Sequence, residues 1–233
     1  MSWSDQPPPP ATKPILPRAA LRERLDQGCA QLGGRAASLS ETQRDTLLDY
    51  LEQLAHWNQR FNLTAVRDPL EMVGRHLLDS LAAADVFSAT PILDLGTGAG
   101  LPGIPLAIAC PEHRFVLLDS VGKKTRFVRQ AAATLGLGNV TVVQARLESY
   151  QPREKFATIT ARALAPLSAL WVSSAELRRP EAPVIAYKGR LADDELAELA
   201  ATGARWSVTR LEVPFVPGER HLIRIDSSSG IHG

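Results

Sequence analysis

Along the first third of the chain, apolar residues recur at helical spacing; from Pro91 onward they gather into short unbroken runs divided by helical stretches. The spacing predicts an amphipathic helix from Arg18 to Leu32, ended by Gly33-Gly34. Ser40-Glu41-Thr42-Gln43 reads as a capping box, opening a helix whose Leu47, Leu48, Leu51, Leu54 and Ala55 form one stripe. A third helix begins with Asp68 as N-cap, Pro69 in the first turn and Glu71 three residues on from the cap. On its wheel Val73, Leu77 and Leu81 point one way, while Arg75, His76 and Asp79 gather on the other side, facing substrate or water. Strands are predicted at 91–95, 114–119, 139–144, 156–160, 183–187, 205–213 and 219–225, with helices near 103–110, 122–135, 165–178 and 192–201. Such alternation means a mostly parallel sheet covered on both faces. The last two strands, joined through Pro214 to Gly218 without a helix, should form an antiparallel hairpin at one edge. The predicted fold is therefore α/β, a seven-stranded, mostly parallel sheet domain over 89–226 with a helical N-terminal extension over 18–88. Proline-rich residues 1–17 and residues 227–233 read as flexible tails.

Composition narrows the class without identifying it. The chain has 233 residues, 45% of them hydrophobic, which suits one domain with an extension and a sizeable core. The opening residues lack the apolar stretch of a signal peptide, and no run has the length of a membrane span. Two distant cysteines, Cys29 and Cys110, fit a cytoplasmic setting and no metal site. Monomer is the default expectation. The net charge of +1 is neutral on nucleic acid, but its distribution is not. Lys123, Lys124, Arg126 and Arg129 crowd the start of the helix near 122–135, where cations oppose the macrodipole. They are either RNA-phosphate ligands or a solvated basic face.

The most specific chemistry lies at Ile92-Leu-Asp-Leu-Gly-Thr-Gly-Ala-Gly-Leu-Pro-Gly103. A strand, a tight glycine turn and a helix start bring backbone close to a nucleotide-like ligand. Dinucleotide sites place a third glycine where Leu101 stands, which counts against a nicotinamide enzyme. Asp94 followed by Gly96, Gly98, Gly100 and Leu101 instead resembles the first motif of S-adenosylmethionine methyltransferases, of class I, Rossmann-like fold. Asp119 closes the next strand, where a carboxylate can accept both ribose hydroxyls. After the third strand, Leu147 and Glu148 are placed to hold an adenine face and edge.

Methyltransferases that alkylate exocyclic amines tend to carry an Asn/Asp-Pro-Pro-aromatic run after the fourth strand, and those that alkylate cytosine carbon a Pro-Cys nucleophile. This chain has Thr160-Ala161-Arg162-Ala163-Leu164 instead. Neither base nor thiol is offered there, which fits an acceptor such as guanine N7 that carries a free lone pair at neutral pH. Alignment of nucleophile, methyl and sulfur is then the main task. Arg162 could bind guanine O6, a phosphate or the cofactor, or be a salt-bridged arginine; Lys188 has the same choice of positioning roles.

Six blocks then resemble one family, the bacterial 16S ribosomal RNA guanine-N7 methyltransferases of the glucose-inhibited division protein B type. They are Trp57 to Ala65, Arg75 to Leu81, Asp94 to Ile108, Leu117 to Lys124, Thr160 to Pro166 and Lys188-Gly189. The resemblance implies methylation of one guanine (guanine 527) in 16S rRNA of the small ribosomal subunit or its assembly intermediate. It also implies that Gly96, Leu101, Leu147, Glu148 and Arg162 serve S-adenosyl-L-methionine, and that His76, Asp79, Lys123 and Lys188 lie toward the RNA. Thr97 and Leu101 depart from the serine and phenylalanine common at those positions, and Leu101 gives up any stacking on the adenosine. Two other readings stay open at this stage. A methyltransferase for a small molecule or protein would leave the basic cluster idle, and a non-catalytic RNA-binding factor would not need the intact glycines, Asp119 and Glu148.

Overall fold

The computed structural model of the protein describes residues 17–227; the predicted tails, 1–17 and 227–233, lie outside the described residues except for Pro17 and Ser227. The chain opens with α1 (Arg18–Leu32), the short α2 (Gly34–Ala37) and the long α3 (Glu41–Phe61). Ser40 caps α3 as the sequence implies: its hydroxyl accepts from the Gln43 amide and the Gln43 side chain accepts from the Ser40 amide. The predicted leucine stripe, Leu47, Leu48, Leu51 and Leu54, is fully buried.

The third predicted helix is not regular. A turn of α4 (Pro69–Met72), capped by Asp68, passes into a π-helical segment (Val73–Leu78) and then α5 (Asp79–Leu81). Wider turns shift every side chain beyond Val73 off a regular wheel. The segment packs on the hairpin loop: a Cβ at Gly74 would come within 3.1 Å of Val216 and 3.4 Å of two loop carbonyls.

Seven strands follow, β1 (Ile92–Leu95), β2 (Phe115–Asp119), β3 (Val140–Gln144), β4 (Thr158–Arg162), β5 (Val184–Lys188), β6 (Arg205–Arg210) and β7 (His221–Asp226). They order as β3-β2-β1-β4-β5-β7-β6, parallel through the first five positions and antiparallel where β7 meets β5 and β6. Central β1 is buried along its whole length, as a strand covered on both faces must be. Edge strand β6 is mostly exposed and carries arginine at both ends, which discourages pairing with another chain.

Helices α6 (Gly103–Ala109), α7 (Gly122–Thr134), α8 (Leu167–Ser173) and α9 (Asp193–Ala201) connect the strands. One apolar cluster joins the N-terminal helices to α6, α7 and one face of the sheet through Leu51, Leu77, Ile104 and Phe127. The other face, with Leu93 and Ile159, is covered by Leu167, Leu170 and Leu199 of α8 and α9. The extension is thus packed into the sheet's own core. Among the described residues, no helix is long and apolar enough to cross a membrane.

Candidate active site

At the carboxyl ends of β1, β2 and β3 a crevice of about 800 Å³ opens, the place where parallel sheets of this kind hold ligands. The glycine turn forms its floor. Gly96 and Gly98 have φ of 64° and 61°, which a residue with a side chain adopts only under strain, so their peptides can reach the crevice surface. Thr97 donates its amide to the Leu118 carbonyl, tying the turn to β2. The extension holds it from the other side, where the Tyr50 hydroxyl donates to the Ala99 carbonyl at 2.7 Å.

Gly96, Gly98 and Leu101 line the crevice, but two members of the same motif do not. Asp94 is fully buried beneath the turn, where its Oδ2 accepts from the Thr97 hydroxyl at 2.6 Å and from the Gly103 amide at 3.0 Å. It organises the loop and the start of α6 and does not line the crevice, in contrast to the contact role expected for it. Burial pushes its carboxyl up to about 7, against the pull of the Thr97 and Gly103 hydrogen bonds. Gly100 likewise turns inward; a Cβ there would meet Ile104 at 2.7 Å.

Asp119 stands across from the glycines. Its Oδ2 accepts from the Gly98 amide at 2.9 Å and its Oδ1 from the Val121 amide at 2.8 Å. Each oxygen keeps a further lone pair for a hydroxyl, so the two bonds orient the carboxylate without exhausting it. Leu147 and Glu148 lie on a short 3₁₀ turn and complete the far wall. Leu164, unremarked in the sequence, reaches back over Gly96 from the loop after β4 and is 45% exposed.

A second cavity of about 380 Å³ shares Arg162 and Ala163 with the crevice. Arg162 is the last residue of β4, two positions beyond the predicted strand end. Its Nη1 donates to Asp79 Oδ2 at 2.9 Å and to the Arg75 carbonyl at 3.0 Å. The other Asp79 oxygen meets Nε of Arg220, the residue just before β7, at 3.3 Å. Sequence reasoning missed Arg220, because its partner lies in the distant extension and no motif surrounds it.

His76 and Asp79 are only 5% and 6% exposed, so of the two readings of their polar face, substrate or water, the structure has them on the inner wall of a cavity and not on a solvated surface. His76 Nε2 lies 2.9 Å from the Thr64 hydroxyl, and its Nδ1 is buried without a hydrogen-bond partner. Burial, helped by Arg162, lowers its imidazole to about 4, so the ring is neutral at physiological pH. Lys188 lines the same cavity, with its ammonium paired to Glu195 and donating to the Ala165 carbonyl. Its charge is compensated within the chain, which narrows the positioning role foreseen for it.

The basic cluster divides. Lys124 turns into the crevice wall, 4.0 Å from Asp119, whereas Lys123 and Arg126 line a separate groove between α3 and α7. Adjacent helix positions diverge by about 100°, so neighbouring lysines need not share a face. Both cysteines are buried and their thiols are pushed up to about 11 by burial, which makes them inert. Among the described residues no cluster of side chains has the makings of a metal site.

The crevice has the size of ordinary small-molecule sites, and its donor set suits S-adenosylmethionine. Peptides at glycines, a fixed carboxylate on the second strand and an apolar wall at Leu101 and Leu147 offer partners for the amino-acid, ribose and adenine parts.

Comparison with known proteins agrees. The family model for rRNA small subunit methyltransferase G matches residues 43–223. The ribosomal RNA small subunit methyltransferase G of Methylococcus capsulatus is 49% identical over 86% of this chain and 96% of its own length. That of Vibrio campbellii is 44% identical over 88% and 96%. Among solved structures, the glycopeptide N-methyltransferase MtfA complexed with S-adenosyl-L-methionine is similar with a TM-score of 0.57 and 13% identity, over 66% of this chain and 88% of that one. A precorrin-6y C5,15-methyltransferase from Geobacter metallireducens gives 0.50 and 14%, over 72% and 92%. Those two likenesses establish the class I, Rossmann-like methyltransferase fold.

Proposed function

The chain belongs to the rRNA small subunit methyltransferase G family, and from that premise we propose that it transfers the methyl group of S-adenosyl-L-methionine to N7 of a single guanine, guanine 527, in 16S rRNA. The observation that carries this reading is the pair of cavities joined at Arg162, one fitted to the donor and one cationic and open to a nucleotide.

The donor supplies a methyl group made electrophilic by its sulfonium. Gly96 and Gly98 hold it through their backbone, Asp119 through the ribose hydroxyls, and Leu101, Leu147 and Glu148 around the adenine. On the acceptor side Asp79 and the Arg75 carbonyl fix Arg162 through Nη1, leaving the Nε–Nη2 edge of the fork for guanine O6 or a phosphate. That edge must not donate to N7, since it would occupy the attacking lone pair. Guanine N7 has no proton to lose at neutral pH, so the site needs no general base. Neutral His76 and the Asp79-held arginines have the task of orientation, which can contribute several kcal/mol to a barrier.

The test is incubation with labelled methyl donor and small subunits or rRNA from a host lacking the modification. Incorporation at one guanine supports the reading. Label confined to protein or small molecules contradicts it. Arg162→Ala should abolish transfer while leaving the circular-dichroism spectrum unchanged; full activity in that variant removes Arg162 from the site.

A further inference from the structure

The groove between α3 and α7 has a volume of about 630 Å³ and belongs to neither cavity described above. Trp57 and Phe61, their rings 5.2 Å apart, form its α3 side. Lys123, Arg126 and Arg129 rise from α7 on the other, with Gln144 at the end of β3, and among the described residues no carboxylate lines the groove. Gly122, Arg126, Arg129 and Ala133 fall at helical spacing, so one cationic stripe of α7 faces the aromatic pair.

That stripe is poorly explained by folding. Helix α7 has Val121 as its N-cap, with no side-chain cap and no acidic residue in its first turn, so Lys123 and Lys124 stand against the positive end of the dipole. Lys123 and Arg129 are exposed and enter no ion pair among the described residues. Like charges gathered beside an apolar ring surface gain only when an anionic partner with flat, stackable groups arrives. A single nucleic-acid strand has both features, phosphates in series and π-faces.

The groove also adjoins the crevice along two segments. Helix α3 and the loop after it run from Trp57 and Phe61 in the groove to Leu63 and Thr64 in the crevice wall. The start of α7 runs from Val121 in that wall to Lys123 in the groove. A strand delivering one nucleotide to the site is therefore carried past it.

We propose that this groove holds a single-stranded stretch of RNA flanking the target nucleotide, with phosphates on Lys123 and Arg129 and a base against Phe61. The proposal rests on the rRNA reading above and adds a contact that sets affinity for the RNA, apart from the chemistry at Arg162.

Steady-state methylation by the full chain, with naked 16S rRNA and with small subunits as substrates, tests it. For the double variant Lys123→Ala/Arg129→Ala, KM for either RNA substrate rises about tenfold and the salt dependence of binding weakens by about one to two in log–log slope. The kcat and the KM for S-adenosylmethionine stay unchanged. Lys123→Arg/Arg129→Lys restores the RNA KM, and Phe61→Leu raises it without altering the salt slope. Unchanged RNA KM and slope in the double variant, with the wild type active, overturn the proposal. So does a defect seen on intact subunits but not on naked rRNA, which assigns the groove to a ribosomal protein. If the wild type methylates no RNA, the functional reading fails instead. Fluorescence anisotropy with the same labelled rRNA then decides the groove, equal affinity of wild type and double variant removing it.

Discussion

The crevice over Gly96 to Leu101 takes its floor and far wall from β1, β2, β3 and the loops that follow them, with Leu63, Thr64 and the loop after β4 closing its near side, whereas the cavity beside it has no such motif at its base and draws on five separated segments. Arg75, His76 and Asp79 come from the extension, Arg162 from β4, Lys188 from β5, Leu211 from just after β6 and Arg220 from just before β7. In the crevice, backbone geometry does the holding: positive φ at glycines and a carboxylate fixed by two amides. In the neighbouring cavity, charge does it, through one buried carboxylate between two arginines. A site held by backbone is written into a short motif, while one held by an ion network exists only once the remote segments have packed.

That contrast predicts where damage spreads. Asp79→Asn leaves Arg162 and Arg220 side by side without their shared anion. It should cost about 3 kcal/mol of stability in urea unfolding and at least about a hundredfold in methyl transfer through misplacement of Arg162. Donor affinity, measured by calorimetry on the folded variant, should change far less. Equal loss of donor and RNA binding would mean that the two regions are not separable.

The regions also titrate in opposite senses. His76 has a folded pKa lowered to about 4 by burial, so between about 6.5 and 4 the unfolded chain binds the extra proton and stability falls as pH falls. Asp94 is pushed up to about 7 by burial, so between about 3.9 and 7 the folded chain holds the extra proton and stability falls as pH rises. Each is worth on the order of 3–4 kcal/mol across its window, and where the windows overlap the slopes oppose. His76→Gln should expose the Asp94 slope and Asp94→Asn the His76 slope, read from melting temperature between pH 4 and 6.5. Two variants with the same slope would contradict the assignment.

Asp119→Asn should weaken donor binding about tenfold, the loss of one charge-assisted hydrogen bond, with the Asp79 ion network intact. The smallest effect is at the joint between extension and crevice. Tyr50→Phe strips the Ala99 carbonyl of its buried donor and should cost about 1 kcal/mol of stability, with a modest loss of donor affinity.

The same division explains what could be read from residues alone. The Ser40 capping box, the leucine stripe of α3, the mostly parallel sheet implied by βαβ alternation and the turn at Gly96 all depend on neighbours close in sequence. The π-helical segment at Val73–Leu78 does not, and it lies against a loop distant in sequence, with Gly74 close to Pro214, Phe215 and Val216. A regular wheel therefore left His76 and Asp79 facing either substrate or water, and only the packed structure makes them the inner wall of a cavity. Asp94 misled for a related reason: its place in the motif is constant whether it holds a ligand or the loop, and only burial distinguishes the two. Lys123 and Lys124 looked like one patch until the helix turned them into different cavities.

The most direct measurement is identification of the methylated atom. After reaction of the protein with S-adenosylmethionine and unmodified small subunits, borohydride reduction and aniline treatment cleave rRNA only where guanine carries an N7 methyl group. The two-cavity account predicts one strong cleavage, lost in Arg162→Ala. A methyl group found on an exocyclic amine or a base carbon, with no cleavage, would contradict it.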